Sequence, residues 1–237
     1  MTGADPRGPR VGALFRYPVK SMLGESPAQL RLDRRGVAGD RRYAVLDPDG
    51  KLGSGKSTKR FRRMEGLLAC SARYEGDTAL VRLPDGRELP ALSPEAAEAV
   101  GAVVGRPVTI GAERDVPHLD ATGLHLVSTA ALRGLGDLLP GDTVSPPRFR
   151  PNVLLTAPGT EAVEDGWVGR EIVVGEVRLA VTGRTPRCVM VTMDHGDLPE
   201  DRRVLRTLTD TAGGLFGVGA EVLVPGAIRV GDAVQVF

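Results

Sequence analysis

What most constrains this chain is its punctuation. Short alternating or apolar runs recur along the whole length, each closed by a turn built from glycine, proline or aspartate. Runs of about four to eight residues between such turns suit strands and are too short for most helices. Val11 to Tyr17 is stopped by Pro18-Val19-Lys20-Ser21, and Arg41 to Asp47 ends in Asp47-Pro48-Asp49-Gly50. Leu67 to Tyr74 and Thr78 to Leu83 form a hairpin pattern across Glu75-Gly76-Asp77. Glu171 to Val174 and Val177 to Val181 form a tighter one around Gly175-Glu176. Leu124 to Val127, Val153 to Leu155, Ala220 to Val224, Ile228 to Val230 and Ala233 to Phe237 complete the strand pattern.

Helix signals are few. Ser93-Pro94-Glu95 supplies an N-cap, a first-turn proline and an acid for a helix to Val104; Ser128 caps one reaching Leu138; Pro199 opens one through Thr209. The balance predicts a mainly β (α+β) protein of barrel-like architecture with a few peripheral helices. A loop-like stretch, 111–122, separates an N-terminal β-rich region, residues 1–115, from a C-terminal region, residues 116–237. A Gly/Pro-rich link, 140–147, leads to Arg148-Phe149-Arg150-Pro151-Asn152.

The chain has 237 residues and a net charge of +1, so bulk charge selects neither nucleic acid nor a membrane surface. Aromatics are 4% of residues, too few for base-stacking platforms. Two cysteines, Cys70 and Cys188, make neither a disulfide framework nor a four-ligand zinc site. The first ten residues are polar and no long apolar run occurs, which gives the expectation of a cytoplasmic protein. Only four of the 31 basic residues are lysines: Lys20, Lys51, Lys56 and Lys59. The rest are arginines, whose planar fork suits phosphate and carboxylate.

Gly183-Arg184-Thr185-Pro186-Arg187-Cys188-Val189 places one cysteine after two arginines, where a turn meets an apolar run. The thiolate is the nucleophilic and metal-ligating form of cysteine, and cationic neighbours favour it. Cys188 is therefore the leading candidate for a working residue, and packing as a small hydrophobe is the competing reading. Cys70 sits in an alternating run and reads as packing. Lys20-Ser21, Asp40-Arg41-Arg42, Arg148 to Asn152 and Arg184 with Arg187 each adjoin a strand end. Together with a thiolate they would make a pocket for a large anionic ligand. Pro151 restricts the residue before it and predicts an extended Arg150. Gly50 to Ser57 spells the phosphate-loop pattern G-x-x-x-x-G-K-[ST]. That loop belongs between a buried parallel strand and a helix, whereas Gly50 closes a hairpin-like turn and 58–65 has little apolar stripe. Nucleotide binding is thus the least favoured function, and Lys56 to Arg63 is either a solvated loop or one wall of an anion site.

Tyr17-Pro18-Val19-Lys20-Ser21, Gly39-Asp40-Arg41-Arg42-Tyr43, Phe149-Arg150-Pro151-Asn152, Glu164-Asp165-Gly166-Trp167, Arg187-Cys188, Leu215-Phe216-Gly217 and Pro225 to Asp232 occur in one order. In that order the chain resembles the MOSC-domain proteins over nearly its whole length, with a MOSC N-terminal β-barrel region preceding the MOSC domain. The relatives include molybdenum cofactor sulfurases and the mitochondrial amidoxime-reducing component. The resemblance implies a molybdenum cofactor, Mo-molybdopterin, with Cys188 as the protein ligand to the metal. It implies that Lys20, Ser21, Arg41, Arg150, Asn152 and Arg187 hold the pterin and its phosphate through charge-assisted hydrogen bonds. The activity implied is reduction of N-hydroxylated or N-oxide small molecules by oxygen-atom transfer, with Asp194 or His195 as proton donors and a turn role for both as the alternative. A sulfur carrier with a Cys188 persulfide is the other reading. Pro186, where the amidoxime reducers have a small polar residue, and the basic loop, 53–63, depart from the family. No cysteine-rich iron–sulfur module is present, so electrons would come from a separate protein: cytochrome b5-like, a ferredoxin or a flavoprotein reductase.

Overall fold

The computed structural model describes residues 8–237 apart from 116, 121, 140, 142 and 143. The N-terminal stretch 1–7 and part of the links 111–122 and 140–147 therefore lie outside the described residues. The first sequence half supplies β1 (Arg10–Leu14), β2 (Gln29–Asp33), β3 (Gly36–Val37), β4 (Tyr43–Leu46), β5 (Leu52–Ser54), β6 (Phe61–Arg63), β7 (Ser71–Glu75), β8 (Thr78–Arg82), β9 (Glu88–Pro90), α1 (Pro94–Val104) and β10 (Thr109–Ala112). The second supplies β11 (Leu124–Ser128), α2 (Thr129–Leu138), α3 (Pro146–Phe149), β12 (Val153–Thr156), β13 (Glu171–Val174), β14 (Val177–Pro186), α4 (Arg203–Ala212), β15 (Leu215–Val224), β16 (Gly226–Arg229) and β17 (Val234–Val236). The protein is mainly β, as its turn spacing predicts.

Seven strands form one sheet in the order β1-β12-β11-β15-β14-β13-β17. Its two edges meet. Val11 N–H donates to Asp232 O at 2.9 Å, Val234 N–H to Pro9 O at 3.0 Å, and Arg10 bridges Ala233. The sheet thus closes into a near-complete barrel, which removes exposed edges. Alternation along β14 turns Leu179 and Val181 inward, and a register shift between Val11 and Ala13 keeps Leu14 of β1 on the same side, where they pack with Leu124, Leu126, Leu155, Ile172, Val218 and Ala220. A second core lies under α1 and includes Val19, Met22, Val45, Met64, Cys70, Val81 and Val100. A third joins α2, α3 and α4 to the barrel through Leu135, Phe149, Val191, Leu208 and Phe216, with the Phe149 and Phe216 ring centroids 4.3 Å apart. Among the described residues no helix is long and apolar enough to cross a membrane.

The two sequence halves share sheets. β1 pairs antiparallel with β12, and β2 pairs antiparallel with β16. The first pairing sets the loop after β1 beside the segment that precedes β12, where Phe15 N–H donates to Asn152 O at 2.8 Å.

Three local readings are corrected. The hairpin strand begins at Ser71 and not at Leu67, because 67–69 form a 3₁₀ turn entered through Gly66 at φ 91°. The last helix starts at Arg203, where Asp201 Oδ1 accepts from Arg203 N–H at 2.9 Å, and Pro199 lies outside it. The phosphate-loop pattern is not a phosphate loop: β5 runs through its middle, and β6, parallel to β5, follows where a helix is required.

Two glycines in this frame behave oppositely. Gly217 sits in β15 at φ 69°, and a Cβ there would stand 2.6 Å from Leu126 O. Gly217→Ala is expected to cost about 1–3 kcal/mol in urea unfolding. Gly136 lies in α2 with nothing within 4 Å of a built Cβ, and Gly136→Ala should gain about 0.5–1 kcal/mol.

Candidate functional site

The residue after Gly39 turns the chain back on itself. Asp40 is fully buried and accepts from Tyr17 N–H at 2.7 Å, while its other oxygen pairs with the Arg41 guanidinium. Arg41 N–H donates to Tyr17 O at 2.7 Å and Lys20 N–H to Tyr43 O at 2.8 Å, which fastens the loop after β1 to the loop before β4. The Tyr17 ring then lies against two guanidiniums, Arg41 at 4.9 Å and Arg150 at 4.2 Å from its centroid. Burial pushes the Tyr17 hydroxyl up to about 12 although Arg150 and Arg41 oppose this. It donates to Pro151 O at 3.1 Å.

Arg150 is not extended. It adopts the left-handed conformation, φ 53° and ψ 48°, and its N–H caps α3 by donating to Pro146 O and Pro147 O. The cap and the Tyr17 contact outweigh the pre-proline preference. Its Nη1 donates to Met22 O at 2.6 Å, while its Nη2 is buried without a partner. Among the described residues, the only non-glycine residues with positive φ are Ser21, Arg41 and Arg150. All three line one cavity. Strained backbone of this kind, about 1–3 kcal/mol each, gathers at functional sites.

That cavity, of about 240 Å³, is also lined by Lys20, Asn152, Arg187 and Cys188. The structure thus brings together every residue that sequence reasoning assigned to cofactor binding. Their roles divide. Ser21 Oγ donates to Gly53 O at 3.0 Å, and Asn152 Oδ1 accepts from His125 N–H at 3.2 Å while its Nδ2 donates to Phe15 O at 3.3 Å. Both brace neighbouring backbone. Arg187 Nη2 donates to Phe149 O at 2.6 Å, and its Nε is buried without a partner. Lys20 Nζ donates to Asp120 at 2.7 Å and to His118 O at 2.9 Å.

Cys188 is half-buried and precedes the 3₁₀ turn Val189–Thr192, having left β14 at Pro186. Its sulfur therefore belongs to a turn between β14 and α4 and not to a strand entrance. Fully buried Arg148 holds that turn: Nη1 donates to Val191 O and Met193 O, both at 3.1 Å, and Nη2 to Pro199 O at 3.0 Å. Asp194 is exposed and does not reach the cavity; it borders a separate groove of about 900 Å³ beside α4. His195 is buried with Nδ1 2.8 Å from Met193 O, and burial lowers it to about 4. Arg184 faces Asp165 at 3.0 Å, outside the cavity. Cys70 is fully buried in the second core, and burial pushes its thiol up to about 11.

Four titratable lining residues were not among the assigned set: His125, Asp120, Arg148 and Lys56. His125 Nε2 stands 3.4 Å from Arg187 Nη1, and burial followed by that cation holds it well below the usual histidine range. It is a neutral imidazole at ordinary pH. Burial also lowers Arg150 and Arg187 to about 10, with Arg41 adding to both. Among the described residues, six basic side chains and a single carboxylate, Asp120, line the cavity. An anionic ligand is what this arrangement can hold.

Among the described residues no group of three or more His, Cys, Asp or Glu side chains could hold a metal. A metal at Cys188 must bring its other ligands with it, and soft sulfur donors suit molybdenum beside a thiolate. The open donors on Arg150 and Arg187 fit the anionic end of a pterin. By these tests the residues present fit a molybdopterin.

The MOSC domain model matches residues 113–235, and the MOSC N-terminal beta barrel domain model matches residues 8–101. The chain belongs to the MOSC family, whose members bind molybdenum cofactor or carry sulfur. The YUAD protein from Bacillus subtilis has a similar structure, with a TM-score of 0.55 at 15% identity over 96% of this chain and 94% of that one. It shares the fold. YiiM from Escherichia coli is a looser likeness, TM-score 0.47 at 9% identity over 96% of this chain and 69% of that one. No curated protein matches the chain.

Lys20 gives the site a pH signature. Burial lowers it to about 8, against the pull of Asp120. Its cationic form is present below that value and is lost as pH rises through it. Sulfate binding, followed by calorimetry, is expected to weaken several-fold between about pH 7 and about pH 9, and Lys20→Met should flatten the profile.

Proposed function

We propose that this protein is a molybdenum-cofactor-dependent oxidoreductase that reduces N-hydroxylated or N-oxide small molecules. The observation that carries the proposal is the convergence of Cys188 with two arginines, Arg150 and Arg187, that each keep a buried unpaired nitrogen, in one cavity whose lining is cationic. Arg150 and Arg187 would hold the pterin's anionic end through donors that the protein leaves open. Arg41 would act from behind them, its own charge balanced by Asp40. Cys188 would be the protein ligand to the metal, on a turn that Arg148 keeps in place.

When bound, the cofactor supplies a two-electron centre that accepts an oxygen atom. The balance is simple: the N–O bond breaks, two electrons enter from a donor protein, and two protons leave with the oxygen as water. The surrounding arginines keep the cavity cationic while this occurs, with His125 neutral beside Arg187. Protons come from solvent at the cavity mouth, because Asp194 lies on another face. The electron donor is a separate protein, cytochrome b5-like, ferredoxin or flavoprotein reductase in kind.

The test is turnover of benzamidoxime with dithionite-reduced viologen as electron source. Wild type is expected to reduce it, Cys188→Ser to fall at least about 100-fold, and Cys70→Ala to keep the activity at some cost in stability. Full turnover by Cys188→Ser would overturn the assignment. Cyanide-releasable sulfur with no turnover would assign Cys188 a persulfide and make the protein a sulfur carrier.

A further inference from the structure

The cavity carries one more cation than the proposed cofactor accounts for. Arg41 is balanced by Asp40 and Lys20 by Asp120, and Arg148 is engaged by backbone carbonyls. Arg150 and Arg187 keep open donors for the pterin's anionic end. Lys56 remains. Among the described residues no carboxylate lies within ion-pair distance of it; its ammonium stands 5.3 Å from the centre of the Phe61 ring. The same ring has the Lys20 ammonium at 5.0 Å and the Arg60 guanidinium at 5.2 Å. Three cations around one aromatic ring repel one another, and an anion placed between them relieves that repulsion.

The backbone under Lys56 is fixed. Gly53 O accepts from Ser21 Oγ at 3.0 Å and Ser54 O from Met64 N–H at 3.0 Å. A Cβ on Gly55 would stand 2.7 Å from both Met190 Cγ and Met193 Sδ, so this residue lies flat on the turn that follows Cys188. Lys56 itself is exposed and lines the cavity. An exposed ammonium on a fixed backbone, lining the same cavity as the cysteine, is placed to meet whatever enters.

We infer that Lys56 is a specificity residue that takes a carboxylate or phosphate on the substrate, so that the protein's substrates are anionic N-oxygenated small molecules. This rests on the reductase reading above and names its substrate class. The pterin's own phosphate is the other oxyanion that Lys56 could meet, and the experiment separates the two.

Molybdenum-loaded full-length protein is titrated by calorimetry with nicotinate N-oxide, an anion, and nicotinamide N-oxide, its neutral counterpart, and both are assayed for reduction. Wild type is expected to bind the anion about tenfold more tightly. Lys56→Ala should erase that ratio, Lys56→Arg keep it and Lys56→Glu invert it, with KM ratios following. Equal binding of the two probes by wild type, or a preference that survives Lys56→Ala, overturns the inference. Loss of bound pterin in Lys56→Ala also overturns it, by assigning the lysine to the cofactor. If neither probe is reduced but the anion preference still depends on Lys56, the anion subsite stands and the reductase reading fails.

Discussion

The crowding of like charge in one cavity is the constraint on which the rest depends. Six basic side chains share a cavity of about 240 Å³. Burial disfavours the charge on all of them but exposed Lys56, and proximity adds to the cost. The fold answers with several devices. Asp40, fully buried, neutralises Arg41 and at the same time anchors the Tyr17 backbone. The Tyr17 face receives two guanidiniums. Met22, Phe149, Val191, Met193 and Pro199 give their carbonyl oxygens to arginines. What is left over, the open donors on Arg150 and Arg187, is charge held ready for a ligand.

The topology makes this assembly possible. Because β1 pairs with β12, the loop after β1 and the segment before β12, distant in sequence, meet at one cavity. Ser21, Arg41 and Arg150 make their turns in left-handed conformations that glycine would adopt without strain. Keeping side chains there is costly, and each of the three side chains is used: one braces the loop at Gly53, and two stand on Tyr17.

Much of this was legible in the sequence because turn chemistry is local. Glycine, proline and aspartate punctuation marks most of the strands, and the strand-end positions of Lys20, Arg41, Arg150 and Cys188 point to one site. What was not legible depends on tertiary partners. Arg150 is left-handed because its N–H caps α3 and its guanidinium finds Tyr17, neither of which Pro151 reveals. His125 reads as one more residue of an apolar strand until β14 brings Arg187 beside it. Asp194 follows the cysteine in sequence, but the 3₁₀ turn carries it to another face. The phosphate-loop pattern failed because three residues of it pair as a strand, yet its lysine does line the cavity.

The central claim is that the cation-lined cavity holds a molybdopterin with its metal on Cys188. Metal and pterin analysis of the protein purified from a cofactor-competent host tests it most directly. The account predicts close to one molybdenum and one pterin per chain, both lost in the Arg150→Ala, Arg187→Ala double variant. A wild-type protein that folds in such a host and carries neither metal nor pterin would contradict it.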